Sequence, residues 1–343
     1  MNVRCRCQWV LLVLAASPVP AATDYAGPQV CRPCHPAEYS VQSRSHHALA
    51  LRPILETPLS FLLVEAPIRE RSGIAFEYKP RTKGLLAVVS KGSDHLEAVL
   101  EWAFGSGAQA YTPVGVRNGR YFEHRVSFYT SAARPGRTLG HPAKASLSLE
   151  SALGIVQNSE TIYRCFNCHA TGAAAGPDLT KMHAGVTCER CHNAGTAHIA
   201  AVRSGQSRME VLTPGLALSR LKALESVSLC AECHRGPASG SASPTPELED
   251  SMSIRFQPLG LMASACFRKS GTMSCITCHN PHEDARRDAV FYVAKCLACH
   301  EAAGSRRTTC GLEQRKNCLP CHMQRRSPAE FLTFTDHRIR VYQ

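Results

Sequence analysis

Seven copies of the pattern C-x-x-C-H constrain this chain of 343 residues more than any other feature. Two thiols three positions apart can each form a thioether with one haem vinyl group, and the adjacent histidine then lies under the iron as its proximal ligand. Zinc ribbons need paired C-x-x-C units and have no reason to place a histidine directly after every second cysteine. A thioredoxin-like site would need one motif on a βαβ unit. The repeated pattern therefore predicts seven covalently bound haem c groups, each with one iron.

The predicted site consists of two cysteines and one proximal histidine from each motif. The haem-attachment cysteines are Cys31, Cys34, Cys165, Cys168, Cys188, Cys191, Cys230, Cys233, Cys275, Cys278, Cys296, Cys299, Cys318 and Cys321. The proximal iron ligands are His35, His169, His192, His234, His279, His300 and His322.

The N-terminus predicts export. Arg4 and Arg6 precede an apolar stretch, residues 9–16, and a small-residue cleavage site at 19–22, which together are typical of a secretory signal peptide over residues 1–22. The apolar stretch is too short to span a bilayer, and no later segment of the sequence offers a span. We therefore expect a periplasmic or otherwise exported protein.

Cysteines outside the motifs fall into two groups. Cys5 and Cys7 would leave with the signal peptide, whereas Cys266 and Cys310 each lie eight or nine residues before a haem motif. In an oxidising compartment the second pair predicts a disulfide, and a reactive thiol or a haem ligand is the alternative.

The basic composition does not predict nucleic-acid binding. The formal net charge is +12, but Arg4 and Arg6 would leave with the signal peptide. Fourteen propionates would then bring the charge to about −4 with ferrous haems and about +3 with ferric haems. The surplus lysines and arginines are better explained as partners of propionates than of phosphates.

The spacing of the motifs predicts the domain organisation. His35 and His169 are 134 positions apart, and within this gap alternating apolar residues flank Asn118-Gly119, a strong hairpin signal. The stretches between later motifs are short and rich in Ala or Leu, so a segment such as 148–157 is predicted to be helical. We expect a mainly α, haem-packed chain with little regular structure and a small antiparallel β insert between the first two motifs. The predicted domains are the signal peptide 1–22, an N-terminal segment 23–69, a β-rich insert 70–147 and a helical six-haem domain 148–343.

Nine histidines remain outside the motifs as possible distal ligands. His95 and His124 fall in the β region and are predicted to be structural or exposed to solvent. Seven haems need seven distal histidines for complete bis-His ligation, and nine are available. Counting alone therefore does not reveal an open iron. The candidates by position are His46 or His47, His141, His183, His198, His282 and His337.

Several runs of residues resemble a known group. The runs C-F-N-C-H-A-T, H-A-G-V-T-C-E-R-C-H, C-I-T-C-H-N-P-H, N-C-L-P-C-H-M and T-D-H-R-I are similar to the exported multihaem cytochromes of the cytochrome c-552/4 group. That group belongs to the superfamily of cytochrome c-554, hydroxylamine oxidoreductase and cytochrome c nitrite reductase. The resemblance covers roughly residues 28–50 and 160–340 and implies that His183, His198, His282 and His337 are distal ligands.

Two differences from the enzymes of this superfamily weaken the prediction that the chain shares their activities. Cytochrome c nitrite reductase carries its catalytic haem on C-x-x-C-K, whereas all seven motifs here end in His. Hydroxylamine oxidoreductase crosslinks a tyrosine to its catalytic haem, and no local feature marks Tyr129 or Tyr163 for that role.

The predicted function is electron transfer between redox partner proteins through closely packed haems. The partners to consider include a membrane quinol-oxidising complex and an outer-membrane complex, and nucleic acid is not among them. The alternative is an oxidoreductase that converts a small nitrogen or sulfur compound at one open haem. A structural or sensing haem protein would suit the β insert but not the haem number.

Overall fold

A ten-stranded antiparallel sheet dominates the first half of the computed structural model. The structure describes residues 25–65, 68–173, 181–206, 221–236, 251–301 and 317–342, so the predicted signal peptide lies outside the described residues. The strands of the large sheet are β1 (Leu51–Pro53), β2 (Ile68–Arg69), β3 (Ala75–Arg81), β4 (Gly84–Lys91), β5 (Asp94–Phe104), β6 (Ala110–Arg117), β7 (Arg120–His124), β8 (Val126–Tyr129), β9 (Arg134–Arg137) and β10 (Gly154–Val156).

The sheet is curled around its two long central strands. The main order is β10-β7-β6-β5-β4-β3-β2, while β1 also pairs with β5, β8 with β6 and β9 with β8. A register shift between Leu100 and Trp102 lies where β5 pairs with β6. Such an irregularity increases local twist and lets one strand bend between two sets of partners.

The hairpin predicted at Asn118-Gly119 is confirmed. Arg117 pairs with Arg120 across a two-residue turn, and Asn118 and Gly119 have φ values of 52° and 71°. Positive φ at both central positions is the condition for a type I′ turn, whose twist matches that of the flanking strands.

The prediction of a mainly α chain with a small β insert is wrong. The sheet recruits strands from both sides of the predicted insert, namely β1, β2 and β10. In the segment 148–157, predicted to be helical, the helix Leu149–Leu153 ends at Gly154 and the chain continues as β10 along β7. A Cβ at Gly154, where φ is 150°, would lie 2.1 Å from the Glu123 carbonyl oxygen. Pairing with an exposed strand edge therefore overrides the local helical preference.

Short helices make up most of the remaining regular structure. The α-helices span Pro36–Gln42, Leu59–Val64, Leu149–Leu153, Ser159–His169, Cys188–His192, Thr196–Arg203, Ala223–His234, Gln257–Met262, Ala265–Ser270, Cys275–Cys278, Ala289–His300 and Leu319–His322, and 3₁₀ turns span Pro28–Cys31, Ile54–Glu56 and Ser251–Arg255. Two small two-stranded sheets pair β11 (Ala170–Thr171) with β12 (His183–Ala184) and β13 (Arg325–Ala329) with β14 (Leu332–Thr335). None of the described helices is both long and apolar enough to cross a membrane.

Buried apolar side chains are concentrated on the sheet. Phe76, Leu85 and Leu100 belong to a large cluster between the strands and the short helices near them. From residue 181 onward the described chain has far fewer buried apolar side chains, and they are Val186, Val227, Ile254, Leu259, Leu261, Val293 and Leu332. The described part of the second half therefore has little apolar core of its own, which suits a region whose interior is completed by a bound apolar group.

Tyr78 and His124 form a hydrogen-bonded pair inside the sheet. The Tyr78 hydroxyl lies 2.8 Å from Nε2 of His124, and Nδ1 of His124 lies 2.5 Å from the carbonyl oxygen of Leu153. Burial lowers the pKa of His124 to about 4, although the bond to Leu153 opposes the shift. The ring is therefore neutral at pH 7, with Nδ1–H donating to Leu153 and Nε2 accepting from Tyr78.

We expect His124 to make the sheet less stable as the pH falls from about 6.5 towards 4. In this range the histidine is protonated in the unfolded chain but stays neutral in the folded protein. The folded pKa lies below the unfolded value, so this contribution is complete above pH 6.5 and lost progressively below it. Replacing His124 by Phe should remove a pH dependence of up to about tenfold per unit in the folding equilibrium constant. Guanidinium unfolding of both proteins between pH 7 and 4 checks this. Parallel pH profiles would contradict it.

Candidate functional site

The cysteines of most motifs lie on short helices or at helix ends. The helix Ser159–His169, for example, includes Cys165 and Cys168 and ends at the histidine of its motif. Residues three apart lie on the same face of a helix, so both thiols of a motif point the same way. The helical pitch therefore explains how a C-x-x-C pair can meet two substituents on one edge of a planar group.

Four proximal histidines face a second histidine ring at nearly constant distance. With metal–nitrogen bonds of about 2 Å on opposite sides of one metal, two imidazole centroids lie a little over 6 Å apart. The pairs and their centroid distances are His35 with His198 at 6.4 Å, His47 with His234 at 6.0 Å, His192 with His282 at 6.0 Å, and His279 with His337 at 6.2 Å. The spacing leaves room for one iron between the rings of each pair.

A second feature is the orientation of the ring nitrogens. In seven of the candidate ligands Nδ1 lies within hydrogen-bonding distance of an oxygen, which leaves Nε2 available to a metal; in His46 that oxygen belongs to the carboxylate of Asp284. Holding one ring nitrogen in this way fixes the tautomer and orientation of a ligating histidine. The other six contacts are His47 to Pro281, His169 to Ala50, His234 to Gln257, His279 to Tyr292, His322 to Arg340, and His337 to Thr335, at 2.9–3.4 Å. These residues therefore fit axial ligation of haem iron.

Burial keeps several of these rings neutral. It lowers the pKa of His337 to about 4 and also lowers the pKa of His169, His234 and His279 below the usual value. Neutral imidazole is the form that binds a metal. At pH 7 no proton therefore needs to leave these rings before iron can bind.

His46 and His47 have different environments, although sequence spacing did not separate them. His47 faces His234, whereas Nδ1 of His46 lies 3.1 Å from Oδ1 of Asp284. The backbone N–H of His46 donates to the same carboxylate oxygen at 2.6 Å. The structure thus directs His47 towards a motif histidine and His46 towards an acidic surface residue.

The other candidate ligands are not paired in this way. The His183 ring packs against Gly27, where an added Cβ would lie 2.9 Å from Cε1. His141 is buried with Nε2 3.2 Å from Glu123, and its Nδ1 has no hydrogen-bond partner among the described residues. His141 is thus held through Nε2, whereas the rings described above are held through Nδ1. Ligation by His141 or His183 stays a prediction.

All sixteen histidines lie within the described residues. His169 has Phe104 as its aromatic neighbour, with centroids 5.1 Å apart. The structure brings no second imidazole opposite His169, His300 or His322 at the spacing of the four pairs.

Thiols of different motifs lie in contact. Burial and the neighbouring Cys188 raise the pKa of the Cys31 thiol to about 12. The contacts join motifs one and three (Cys31 with Cys188), two and four (Cys168 with Cys233), four and five (Cys230 with Cys275), and six and seven (Cys296 with Cys318). The attachment points of these motifs are therefore neighbours in space even where they are far apart in sequence.

Only one of the two cysteines of the predicted disulfide, Cys266, lies within the described residues. Cys266 lies near Cys296, and burial raises the pKa of the Cys296 thiol to about 11. Cys310 lies outside the described residues, so the pairing stays a prediction.

Sequence reasoning missed Glu189, the first variable residue of the third motif. Its carboxylate is buried and accepts the backbone N–H groups of Ala26 at 2.9 Å, Gly27 at 2.8 Å and Gly195 at 2.7 Å. The carboxylate thus ties the segment before the first motif to the third motif. An acidic residue between two motif cysteines is the only sequence signal that could have drawn attention to it.

Replacing Glu189 by Gln should loosen this connection. An amide has one acceptor oxygen and presents an N–H₂ group to a backbone donor, so at least one charge-assisted bond is lost, worth about 1.5–3 kcal/mol. We expect the amides of Ala26 and Gly27 to exchange about tenfold faster or more, measured by hydrogen exchange of the N-terminal peptide. The exposed Glu38 provides the control substitution, Glu38→Gln. Unchanged exchange in Glu189→Gln would refute this role.

Two comparisons with known proteins find a similar sequence segment and a similar fold. A family model described as cytochrome c554 and c-prime matches residues 124–193, which include the second and third motifs. The crystal structure of outer cell wall cytochrome OcwA is similar in fold, with a TM-score of 0.54 and 15% sequence identity, over 92% of this chain and 80% of that one. No curated protein is similar to the chain in sequence.

The motifs, the fold and these two matches together support the class of multihaem c-type cytochromes. The resemblance drawn from the sequence is confirmed at that level. Within this class, a more specific similarity, to cytochrome c554 and c-prime, is found for residues 124–193.

Proposed function

We propose that this chain is an exported heptahaem cytochrome that carries electrons between redox partner proteins through closely spaced, mostly bis-His haems. The observation that carries the proposal is the set of four histidine pairs with ring centroids 6.0–6.4 Å apart. Two histidines that held one iron between them would leave no site for a substrate there and would favour a low potential.

The chain's own residues provide the spacing that electron transfer needs. When bound, haem c supplies a one-electron Fe(III)/Fe(II) couple at each motif. Contacts such as Cys31 with Cys188 and Cys230 with Cys275 bring attachment points of different motifs together. Histidines held through Nδ1 keep the axial ligands from reorienting, which limits the structural change between redox states.

Export and the partners belong to the same proposal. The predicted signal peptide supports export, and the structurally similar OcwA is an outer cell wall cytochrome by name. We infer that the partners are redox proteins, with a membrane quinol-oxidising complex or an outer-membrane complex among the candidates.

A second candidate function rests on the three motif histidines that face no second imidazole. His169, His300 and His322 leave room for an iron with an open axial position, where a small nitrogen or sulfur compound could be reduced or oxidised. This candidate predicts an oxidoreductase rather than a pure electron carrier.

Two measurements test the proposals. The intact mass of the mature protein should exceed that of the processed polypeptide by seven haem groups. Low-temperature EPR of the oxidised protein should then show only low-spin iron, unchanged by nitrite, and the absorbance spectrum of the reduced protein should be unchanged by carbon monoxide. A lower haem number contradicts the heptahaem assignment, and a stoichiometric high-spin signal moves the assignment to the oxidoreductase.

A further inference from the structure

The second variable positions of three motifs meet at one point. These residues are Asn167 in C-F-N-C-H, Arg190 in C-E-R-C-H and Glu232 in C-A-E-C-H. Nε of Arg190 donates to the Asn167 carbonyl oxygen at 3.3 Å, and Nη1 donates to Oε2 of Glu232 at 2.9 Å. One guanidinium of the third motif thus connects the second and fourth motifs.

The same guanidinium also reaches a predicted attachment sulfur. Nη2 of Arg190 lies 3.6 Å from Sγ of Cys233, and the Cys233 thiol in turn contacts Cys168 of the second motif. Only 17% of the Arg190 side chain is exposed, compared with 51% for Glu232. The cation is therefore more protected from solvent than its counter-charge, and its field is less screened.

We propose that Arg190 is a positioning and potential-tuning residue for the haem of the fourth motif. The inference rests on the proposed haem attachment and goes beyond it by assigning a role to a variable motif position. A cation near the attachment sulfur favours the ferrous state, which carries one positive charge less than the ferric state, and so raises the reduction potential. Glu232 has the opposite sign and lowers it.

The fourth motif provides its own spectroscopic signature. The imidazole planes of His47 and His234 are inclined at 76°, compared with 36°, 5° and 38° in the other three pairs. Nearly perpendicular planes leave two iron d orbitals almost equal in energy, which gives a low-spin EPR signal with a large g anisotropy. An EPR-monitored redox titration could therefore follow this haem separately from the haems of the other three histidine pairs.

The test compares Arg190→Gln, Glu232→Gln and the double variant in the mature, haem-loaded protein. We expect the ferric-to-ferrous ratio of this haem at a fixed potential to rise on the order of tenfold in Arg190→Gln, since a largely buried cation is lost. A tenfold change corresponds to 59 mV for a one-electron couple. Glu232→Gln should shift the ratio the other way, and the double variant should lie near the wild type because it removes both charges.

The control is Arg134→Gln, which removes the same charge from an exposed pair with Glu330 and should leave the titration unchanged. Shifts of the same sign in both single variants would indicate a purely structural effect and overturn the inference, as would no shift with full haem content. If Arg190→Gln does not mature, Glu232→Gln decides alone: a higher potential supports the inference and any other result overturns it. Absence of haem from the wild-type protein would instead refute the proposed function.

Discussion

Replacing His47 by alanine is expected to change one haem from low spin to high spin and to create about one carbon monoxide binding site per reduced protein. The reason is that His47 stands 6.0 Å from His234 across the space for one iron, so its loss leaves one axial position open. EPR of the oxidised protein and carbon monoxide titration of the reduced protein measure the two effects. The large-anisotropy signal should disappear at the same time.

The adjacent histidine is a matched control. His46 is held by Asp284 through both its ring and its backbone N–H, so His46→Ala should leave all haem spectra unchanged. A second variant, His47→Met, keeps a sixth ligand and should raise the potential of this haem without a high-spin signal. A high-spin signal in His46→Ala but not in His47→Ala would reverse the assignment.

Replacing Phe166 by alanine is expected to destabilise the protein by about 3–5 kcal/mol, the usual cost of removing a fully buried aromatic ring. Phe166 is the first variable residue of the second motif and is 0% exposed. Its ring makes edge-to-face contacts with Trp102, Phe104 and Tyr121, with centroids 5.0–5.9 Å apart. The side chain thus attaches the second motif to the large sheet.

Guanidinium unfolding monitored by circular dichroism measures this loss. Ile276 occupies the same position of the fifth motif but is 44% exposed, so Ile276→Ala should cost less than about 1 kcal/mol. Equal effects of the two substitutions would mean that the contact of Phe166 with the sheet adds no stability beyond what any motif residue adds.

The candidate site could be predicted from the sequence to the extent that its chemistry is local. Two cysteines and a histidine within five residues define an attachment site whatever the surrounding fold. A distal ligand has no such local definition, because it comes from another part of the chain. Position relative to the motifs suggested His198, His282 and His337, each of which faces a motif histidine, but it left His46 and His47 equivalent.

The fold was predicted less well, and for the same reason. Alternating apolar residues and Asn118-Gly119 predicted the central hairpin, because that information is contained in neighbouring residues. The short strands β1, β2 and β10 carry almost no pattern of their own. They become strands because an unpaired sheet edge offers hydrogen bonds, as at Gly154, which lies against the Glu123 carbonyl.

The sequence by itself determined the haem-type chemistry, the central hairpin and the class of protein, since each depends on residues close together in the chain. Only the tertiary structure decided that a ten-stranded sheet replaces a small insert and that His47 rather than His46 faces His234. It also brought Asn167, Arg190 and Glu232 to one point, although they lie in different motifs. The physical reason is that sheet edges, buried charges and distal imidazoles interact with residues that are close in space but distant in sequence. No periodicity along the chain predicts such interactions.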